Sequence, residues 1–342
     1  MSAKIGLLIN PTSRRGLGER DGIHVTRSLR ALGFSVVDLT TRSAEEAAAV
    51  SARAVASKSL DALFAVGGDG TVGIAVDALA DSRIPLGVIA VGTGNDTARH
   101  FGLPRRDVDT ALAQAVDALS SGRTHATDVL EVSCISGATI VRKRVISSVS
   151  AGLDADVNLR ANSFPFPRGG GRYARGIASA VRRFAPYGLR LEIDGRACAG
   201  PATLVTVANT RFFGAGLPIA PAAAADDGFA DVIFAAGMHR SQILGLLPRL
   251  ALGRHLSHPL VHRLKARHIR ISYEPDAGNP PPLPMADGVT AGKDEARPAA
   301  AESPAGQDPR RGFMRGRRCR PRAFLSSSAS EGSARCCPSA PS

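Results

Sequence analysis

The sequence predicts an α/β fold in two parts: a doubly wound α/β domain over residues 1–126, then a mostly antiparallel β domain over residues 127–290. Three observations predict it. Up to about residue 126, short apolar runs alternate with segments of helical periodicity, the pattern of a parallel sheet covered by helices. Beyond that point strand-like runs and hairpin signals dominate. From about residue 291 the periodicity stops, and Ala, Pro, Ser, Gly and Arg take over, with seven Arg from Arg310 to Arg322. Residues 291–342 therefore read as a low-complexity, disordered basic tail, too poor in apolar surface to offset the entropy of ordering.

The elements follow in order. Residues 4–9 form an apolar first strand. Residues 18–32 read as a helix with Ile23, Leu29 and Leu32 apolar, 34–39 as a strand, and 44–57 as an Ala-rich helix. Residues 60–66 are a strand and 71–79 a helix. Residues 86–91 are a further strand. Residues 108–119 are a helix, with Ala111, Leu112, Ala115, Val116 and Leu119 at helical spacing. In the second domain strands are expected at 127–133, 139–150, 189–193, 202–207, 230–234 and 268–273, with helices at 172–184 and 241–252. Asp194-Gly195 is a hairpin turn, because both residues tolerate positive φ.

Two glycine loops follow buried strands of the first domain: Gly67-Gly68-Asp69-Gly70-Thr71 after Ala62–Val66, and Gly92-Thr93-Gly94-Asn95-Asp96 after Leu86–Val91. Glycine lets the backbone approach a phosphate with no Cβ in the way. Backbone N–H groups at such turns, with a helix starting behind them, cradle anions. The aspartates bring oxygen ligands to the place where a phosphate-bound Mg²⁺ would sit. Neither loop is a Walker A or a dinucleotide GxGxxG sequence. In a doubly wound sheet ligands bind at the carboxyl ends of the strands, where both loops lie. A nucleotide phosphate site is the reading, with Gly68, Gly70, Thr71, Gly94 and Asn95 as the cradle. Asn10, Ser13, Arg14 and Arg15 share its rim, and Arg99 stands one helical turn into the segment behind the second loop. The plain alternative for each loop is an ordinary βα turn.

The two loops with Arg99, the opening Asn10-Pro11-Thr12-Ser13, the segment from Ser150 to Ala155, and the run from Pro221 through Asp227-Gly228 to Val232 resemble the diacylglycerol kinase catalytic-domain family, which includes bacterial lipid kinases and sphingosine kinases. The resemblance covers roughly residues 4–288 in the expected order. It implies two domains with the active site in the cleft between them, ATP and Mg²⁺ as cofactors, and a lipid hydroxyl, foremost that of diacylglycerol, as acceptor. It implies that Asp69, Asp96 and Asp128 hold a Mg²⁺–water network. It gives Asp69 a catalytic role, and it makes Asp287 the general base. It implies a structural metal at Asp227 with nearby carbonyls such as those of Ala224 and Phe229. The family continues Asp287-Gly288 with a glutamate; here Val289 offers no oxygen, and the expected terminal apolar strands give way to the tail. Two alternatives stay open: an NAD kinase-like small-molecule kinase, which shares Gly67–Thr71, and a degenerate, non-catalytic nucleotide- or membrane-binding homologue.

Bulk properties set the remaining bounds. A hydrophobic content of 44% supports a core, and with aromatics at 4% and no Trp that core must be built from Ala, Val, Leu and Ile. The net charge of +13 suits an anionic partner, or reflects a general arginine bias. No acid occurs between Asp156 and Glu192, while Arg160, Arg168, Arg172, Arg175, Arg182, Arg183 and Arg190 are interleaved with Phe164, Phe166, Tyr173, Phe184 and Tyr187. This suits an anionic membrane surface, or a solvated basic segment whose aromatics face the core. The five Cys show no metal spacing and read as free thiols of a reducing compartment. Nothing resembles a signal peptide, and no run approaches the ~18 apolar residues of a membrane span. The expectation is a cytoplasmic protein that meets its lipid substrate at the inner membrane face, without a nucleic-acid partner; a homodimer stays open.

Overall fold

The apolar runs of the first domain become a parallel sheet because each run is flanked by a helix that can bury one of its faces. The computed structural model describes residues 2–136, 139–166, 170–287, 289–290 and 322–326. In chain order the first domain holds β1 (Lys4–Ile9), α1 (Ser13–Gly16), α2 (Gly18–Ala31), β2 (Ser35–Asp38), α3 (Ala44–Ala56), β3 (Ala62–Gly67), α4 (Asp69–Leu79), β4 (Leu86–Ala90), α5 (Asp96–His100) and α6 (Val108–Ser120). The strand order is β2-β1-β3-β4, all parallel. Strand alternation splits the core in two. Leu7, Phe64 and Val66 pack with Val25 and Leu29 of α2 and Ala111 and Leu112 of α6. Leu8, Leu63 and Ala65 pack with α3 and α4 through Ala47, Val55, Val72, Ala75 and Val76. Helices on both faces make the sheet doubly wound, and its direction reverses between β1 and β3, where such folds bind ligands.

The second domain continues with β5 (Leu130–Ser136), β6 (Thr139–Val145), β7 (Ser148–Gly152), α7 (Leu153–Ser163), α8 (Gly170–Arg183), β8 (Tyr187–Ile193), β9 (Arg196–Ala208), β10 (Ala230–Ala236), α9 (Arg240–Ala251), β11 (Val261–Ala266), β12 (His268–Tyr273), β13 (Met285–Ala286), β14 (Val289–Thr290) and β15 (Arg322–Ser326). The order β14-β13-β7-β9-β8-β12-β15-β5-β6 runs through one sheet, with β10 pairing β9 and β11 branching from it. Every pairing is antiparallel except those of β15, which lies parallel between β12 and β5. Asp194 and Gly195 turn between β8 and β9 with φ of 47° and 83°, the hairpin geometry expected of that pair.

Four differences from the sequence reading have physical causes. The single strand expected over 139–150 breaks at Ile146 and Ser147, whose N–H groups leave the ladder to bind the Asp287 carboxylate. Leu153–Ser163 is a helix that escaped notice because it is buried on several sides, from Leu153 through Val157, and so lacks a polar–apolar period. β9 begins at Arg196, six residues before the strand read at 202, and carries Pro201 within it. Arg322–Ser326, placed by composition in a disordered tail, is a strand; Ala323-Phe324-Leu325 is a short apolar run, and β12 and β5 offer edges on either side of it. The rest of 291–342 lies outside the described residues.

The domains meet along α4 and the loop after β9. Arg144 N donates to Asp77 Oδ1 at 2.8 Å and Arg144 Nη2 to Asp81 Oδ2 at 2.7 Å. Ile146 of the second domain packs into the first-domain core.

Candidate active site

A cleft of about 380 Å³ opens between the two domains. One wall is made by the loops after β3 and β4, through Asp69, Thr93, Gly94 and Asp96. The other is made by the second domain, through Ser147, Ser150, Asp154, Tyr173, Ala215 and Asp287.

The glycine loops are one unit. A Cβ on Gly92 would overlap the Cα of Gly68, so the loops pass backbone to backbone at these two glycines. Val91 N donates to Gly67 O at 2.8 Å and continues the join. A Cβ on Gly67 would run into the side chain of Thr71, which is only 5% exposed. Gly70 is different: a Cβ there would meet nothing within 4 Å. Gly67, Gly68, Gly92 and Thr71 therefore hold the loops together, and Gly70 is the glycine left with open space above it. Asn95 is buried with φ 54°, and its Nδ2 donates to Gly92 O at 3.0 Å. Its side chain braces the second loop from beneath. Thr93 is exposed at the loop tip, where its carbonyl accepts from Arg106 Nη2 at 3.2 Å.

Asp69 and Asp96 converge. A Cβ on Gly94 would stand 3.0 Å from Asp69 Oδ2 and 3.5 Å from Asp96 Oδ2. Asp69 Oδ1 accepts from Thr97 N at 3.0 Å, and Asp96 Oδ2 accepts from Ala215 N at 2.9 Å across the domain boundary. Burial, and then the Asp69 charge, push Asp96 up to about 6. Asp96 Oδ1 is buried and accepts no hydrogen bond, with Arg99 Nε 3.9 Å away. Two carboxylates, one with an orphan oxygen, fit a hydrated Mg²⁺, which takes few protein ligands. Among the described residues no group of three or more His, Cys, Asp or Glu is arranged to hold a metal. Arg99 reaches across the boundary: its guanidinium stands over the Phe212 ring at 5.6 Å and against Gly216, whose φ is 107°.

Asp287 closes the cleft from the second domain. Its Oδ1 accepts from Ser147 N at 2.9 Å and from Ser147 Oγ, and its Oδ2 from Ile146 N at 3.2 Å. It faces α4 at Gly73, where a Cβ would approach Oδ2 to 3.2 Å. Burial raises the carboxyl above its usual range, and the charge of Asp69 adds to this. Deeper in the cleft Asp154 accepts from Ser150 Oγ at 2.5 Å, Tyr173 OH at 3.0 Å and Asn158 Nδ2 at 3.3 Å. Burial raises this carboxyl too, and burial with the Asp154 charge lifts the Tyr173 hydroxyl well above its ordinary value. The sequence drew attention to the segment around Asp154 but assigned the residue no role. Its partner Tyr173 lies 19 positions away and carries no local signal.

Other expected residues stand elsewhere. Asp128 does not line the cleft with Asp69 and Asp96: its Oδ2 accepts from Gly228 N at 2.7 Å, and its own N–H donates to Ala225 O at 2.6 Å. It pins the turn that carries Asp227. Asp227 Oδ1 accepts from Phe229 N at 3.0 Å, and Lys265 Nζ pairs with Oδ2. Asn10 Oδ1 accepts from Thr12 N and Thr12 Oγ1, while Ser13 Oγ donates to Asn10 O at 2.9 Å. Both shape the turn after β1. Arg15 lies in α1, and its side chain is outside the description. Of the aromatics in the basic segment, Phe184 and Tyr187 are core residues and Tyr173 lines the cleft. Phe166 is 73% exposed, and Arg175 stacks on Phe164 at 4.1 Å. Arg168 is outside the described residues.

Residues 4–132 match the family described as "Diacylglycerol kinase catalytic domain", and residues 147–305 match the "YegS C-terminal NAD kinase beta sandwich-like domain". A diacylglycerol kinase of Mycobacterium tuberculosis is 34% identical over 269 residues, covering 78% of this chain and 84% of the relative. One from Bacillus subtilis is 24% identical over 268 residues, again with 78% and 84% covered. The crystal structure of a diacylglycerol kinase from Bacillus anthracis shares the fold, with a TM-score of 0.60 at 21% identity over 83% of this chain and 89% of that one.

Proposed function

This chain belongs to the diacylglycerol kinase catalytic-domain family, and on that premise we propose that it is a lipid kinase that transfers the γ-phosphoryl group of ATP to the hydroxyl of diacylglycerol. The observation that carries the reading is the meeting of Asp69, Asp96 and Asp287, from both domains, in one cleft beside the glycine loops. Gly70, Gly94 and Thr93 border the space for the nucleotide phosphates. Asp69 and Asp96 would hold Mg²⁺, which supplies charge neutralisation at the phosphates.

Asp287 takes the proton of the acceptor hydroxyl. The freed oxygen bonds to the γ-phosphorus, the bond from that phosphorus to the β,γ-bridging oxygen breaks, and ADP leaves. The elevated affinity of Asp287 for protons suits a base, and its three donors fix the carboxylate against the wall of the cleft. Asp154 and Tyr173 line the deeper end, where the acceptor's polar head would lie. No described helix is long and apolar enough to cross a membrane, so in this reading the acceptor is met at the bilayer surface.

The test is transfer of label from γ-labelled ATP to diacylglycerol in mixed micelles, with Asp69→Ala and Asp287→Asn beside the wild type. Labelled phosphatidic acid from wild type, reduced by on the order of 10³-fold or more in either variant, is the expected result. Protein that binds ATP yet labels no lipid alcohol would turn the reading toward a non-catalytic homologue, as Val289 in place of the family's glutamate suggests.

A further inference from the structure

Helix α9 carries leucines on both faces. Inward, Ile243 is buried, and Leu246 and Leu250 pack on the second-domain core. Outward, Leu244 is 55% exposed and Leu252, at the C-cap, 70%. A helix that borders water on its outer side carries polar residues there. Here the exposed polar residues Ser241 and Gln242 are confined to the first turn, Gly245 and Pro248 lie between the two leucines, and exposed Arg249 and Arg254 sit beside and beyond them. From Val232 to Tyr273 the chain has no acidic residue, so the arginines meet no carboxylate from their own stretch of sequence.

The helix is fixed to the domain that bears the cleft. His239 and Gln242 form a capping box at its start, and Arg240 Nε donates to Phe184 O, just past the end of α8, at 3.0 Å. Tyr173, on α8, lines the cleft. A surface that combines projecting leucines with flanking arginines is complementary to an anionic bilayer, with apolar groups entering the acyl boundary and cations meeting lipid phosphates. A second copy suits it less, because two-fold pairing sets like charges of the two copies on one shared surface.

We propose that the outer face of α9 docks on an anionic lipid bilayer through Leu244 and Leu252, with Arg249 and Arg254 at the headgroups. This docking is independent of the transfer chemistry, so its test involves no turnover. Full-length protein is pelleted with phosphatidylcholine vesicles, with and without phosphatidylglycerol. The expected result is binding only to the anionic vesicles, weakened by salt. Leu244→Glu with Leu252→Glu should lower it by roughly tenfold per leucine, and Arg249→Gln with Arg254→Gln by about fivefold per arginine. The chain has no tryptophan, so Leu252→Trp gives a background-free probe, which should shift to the blue on anionic vesicles. That probe keeps the test decisive if the glutamates unfold the chain. Wild-type binding by the double glutamate variant, or an unshifted Leu252→Trp on vesicles that pellet it, overturns the proposal. So does a vesicle-free wild-type dimer that the glutamates convert to monomer, since the face would then be an interface between copies.

Discussion

Asp96 is the residue at which folding and the proposed chemistry pull in opposite directions. Its carboxyl is raised from 3.8 to about 6 by burial and by Asp69. Below pH 3.8 it is protonated in both folded and unfolded chains and contributes nothing to pH dependence. Between 3.8 and about 6 the folded chain binds the proton more tightly, so stability falls as pH rises through this window. Above about 6 the full penalty stands, on the order of 3 kcal/mol. In metal-free buffer, Asp96→Asn should therefore melt higher than wild type at pH 8 and equal it near pH 3.5. The asparagine oxygen can still accept from Ala215 N. Thermal melts across this range check the direction, and a variant less stable at pH 8 than wild type would contradict it. Mg²⁺ should raise the melting temperature of wild type more than that of the variant.

At the scale of elements, the paired loops behave as one part. Gly92→Ala drives a methyl into the Gly68 backbone, and overpacking of this kind costs about 1–3 kcal/mol or more. Gly70→Ala meets open space in the first turn of α4 and should hold or gain stability, by up to about 1 kcal/mol. If Gly70 is where the phosphates approach, its variant should raise the KM for ATP while Tm stays level or rises. Denaturation curves beside ATP titrations separate the two glycines. The sequence located both loops, since strand, glycine and helix follow one another locally. It could not tell which glycines face the neighbouring loop and which face open space, because Gly68 and Gly92 meet only after β3 and β4 pair. The partners of Asp128 were hidden for a related reason: Ala225 and Gly228 lie about a hundred positions away.

For the whole molecule, the parallel sheet was legible almost strand by strand, because each strand is an apolar run with its helix beside it. The second domain was legible as β-rich, but its pairing order was not, since neighbours in that sheet are distant in sequence. β15 is the extreme case. Deleting Arg322–Ser326 exposes two strand edges, of β12 and of β5, that no other described strand covers. The deletion should lower Tm by about 2–3 °C, the shift of ~1–2 kcal/mol in a chain of this size, and should promote edge-to-edge aggregation. Calorimetry and light scattering on the shortened chain check this, and an unchanged melt would show that the strand adds nothing to the sheet.

The break between β6 and β7 also orders events in time. The described donors to Asp287 come from Ser147 and Ile146, 140 and 141 positions earlier in the chain. Each glycine loop, by contrast, forms within a local strand–turn–helix unit. Contacts of long sequence separation must close a large loop of chain before they return any energy, and they form late. A half-folded chain can thus own its glycine loops and still lack an anchored Asp287. Competence for transfer arrives only when the two ends of the second domain have found each other, so the proposed kinase does not spend nucleotide while it is still folding.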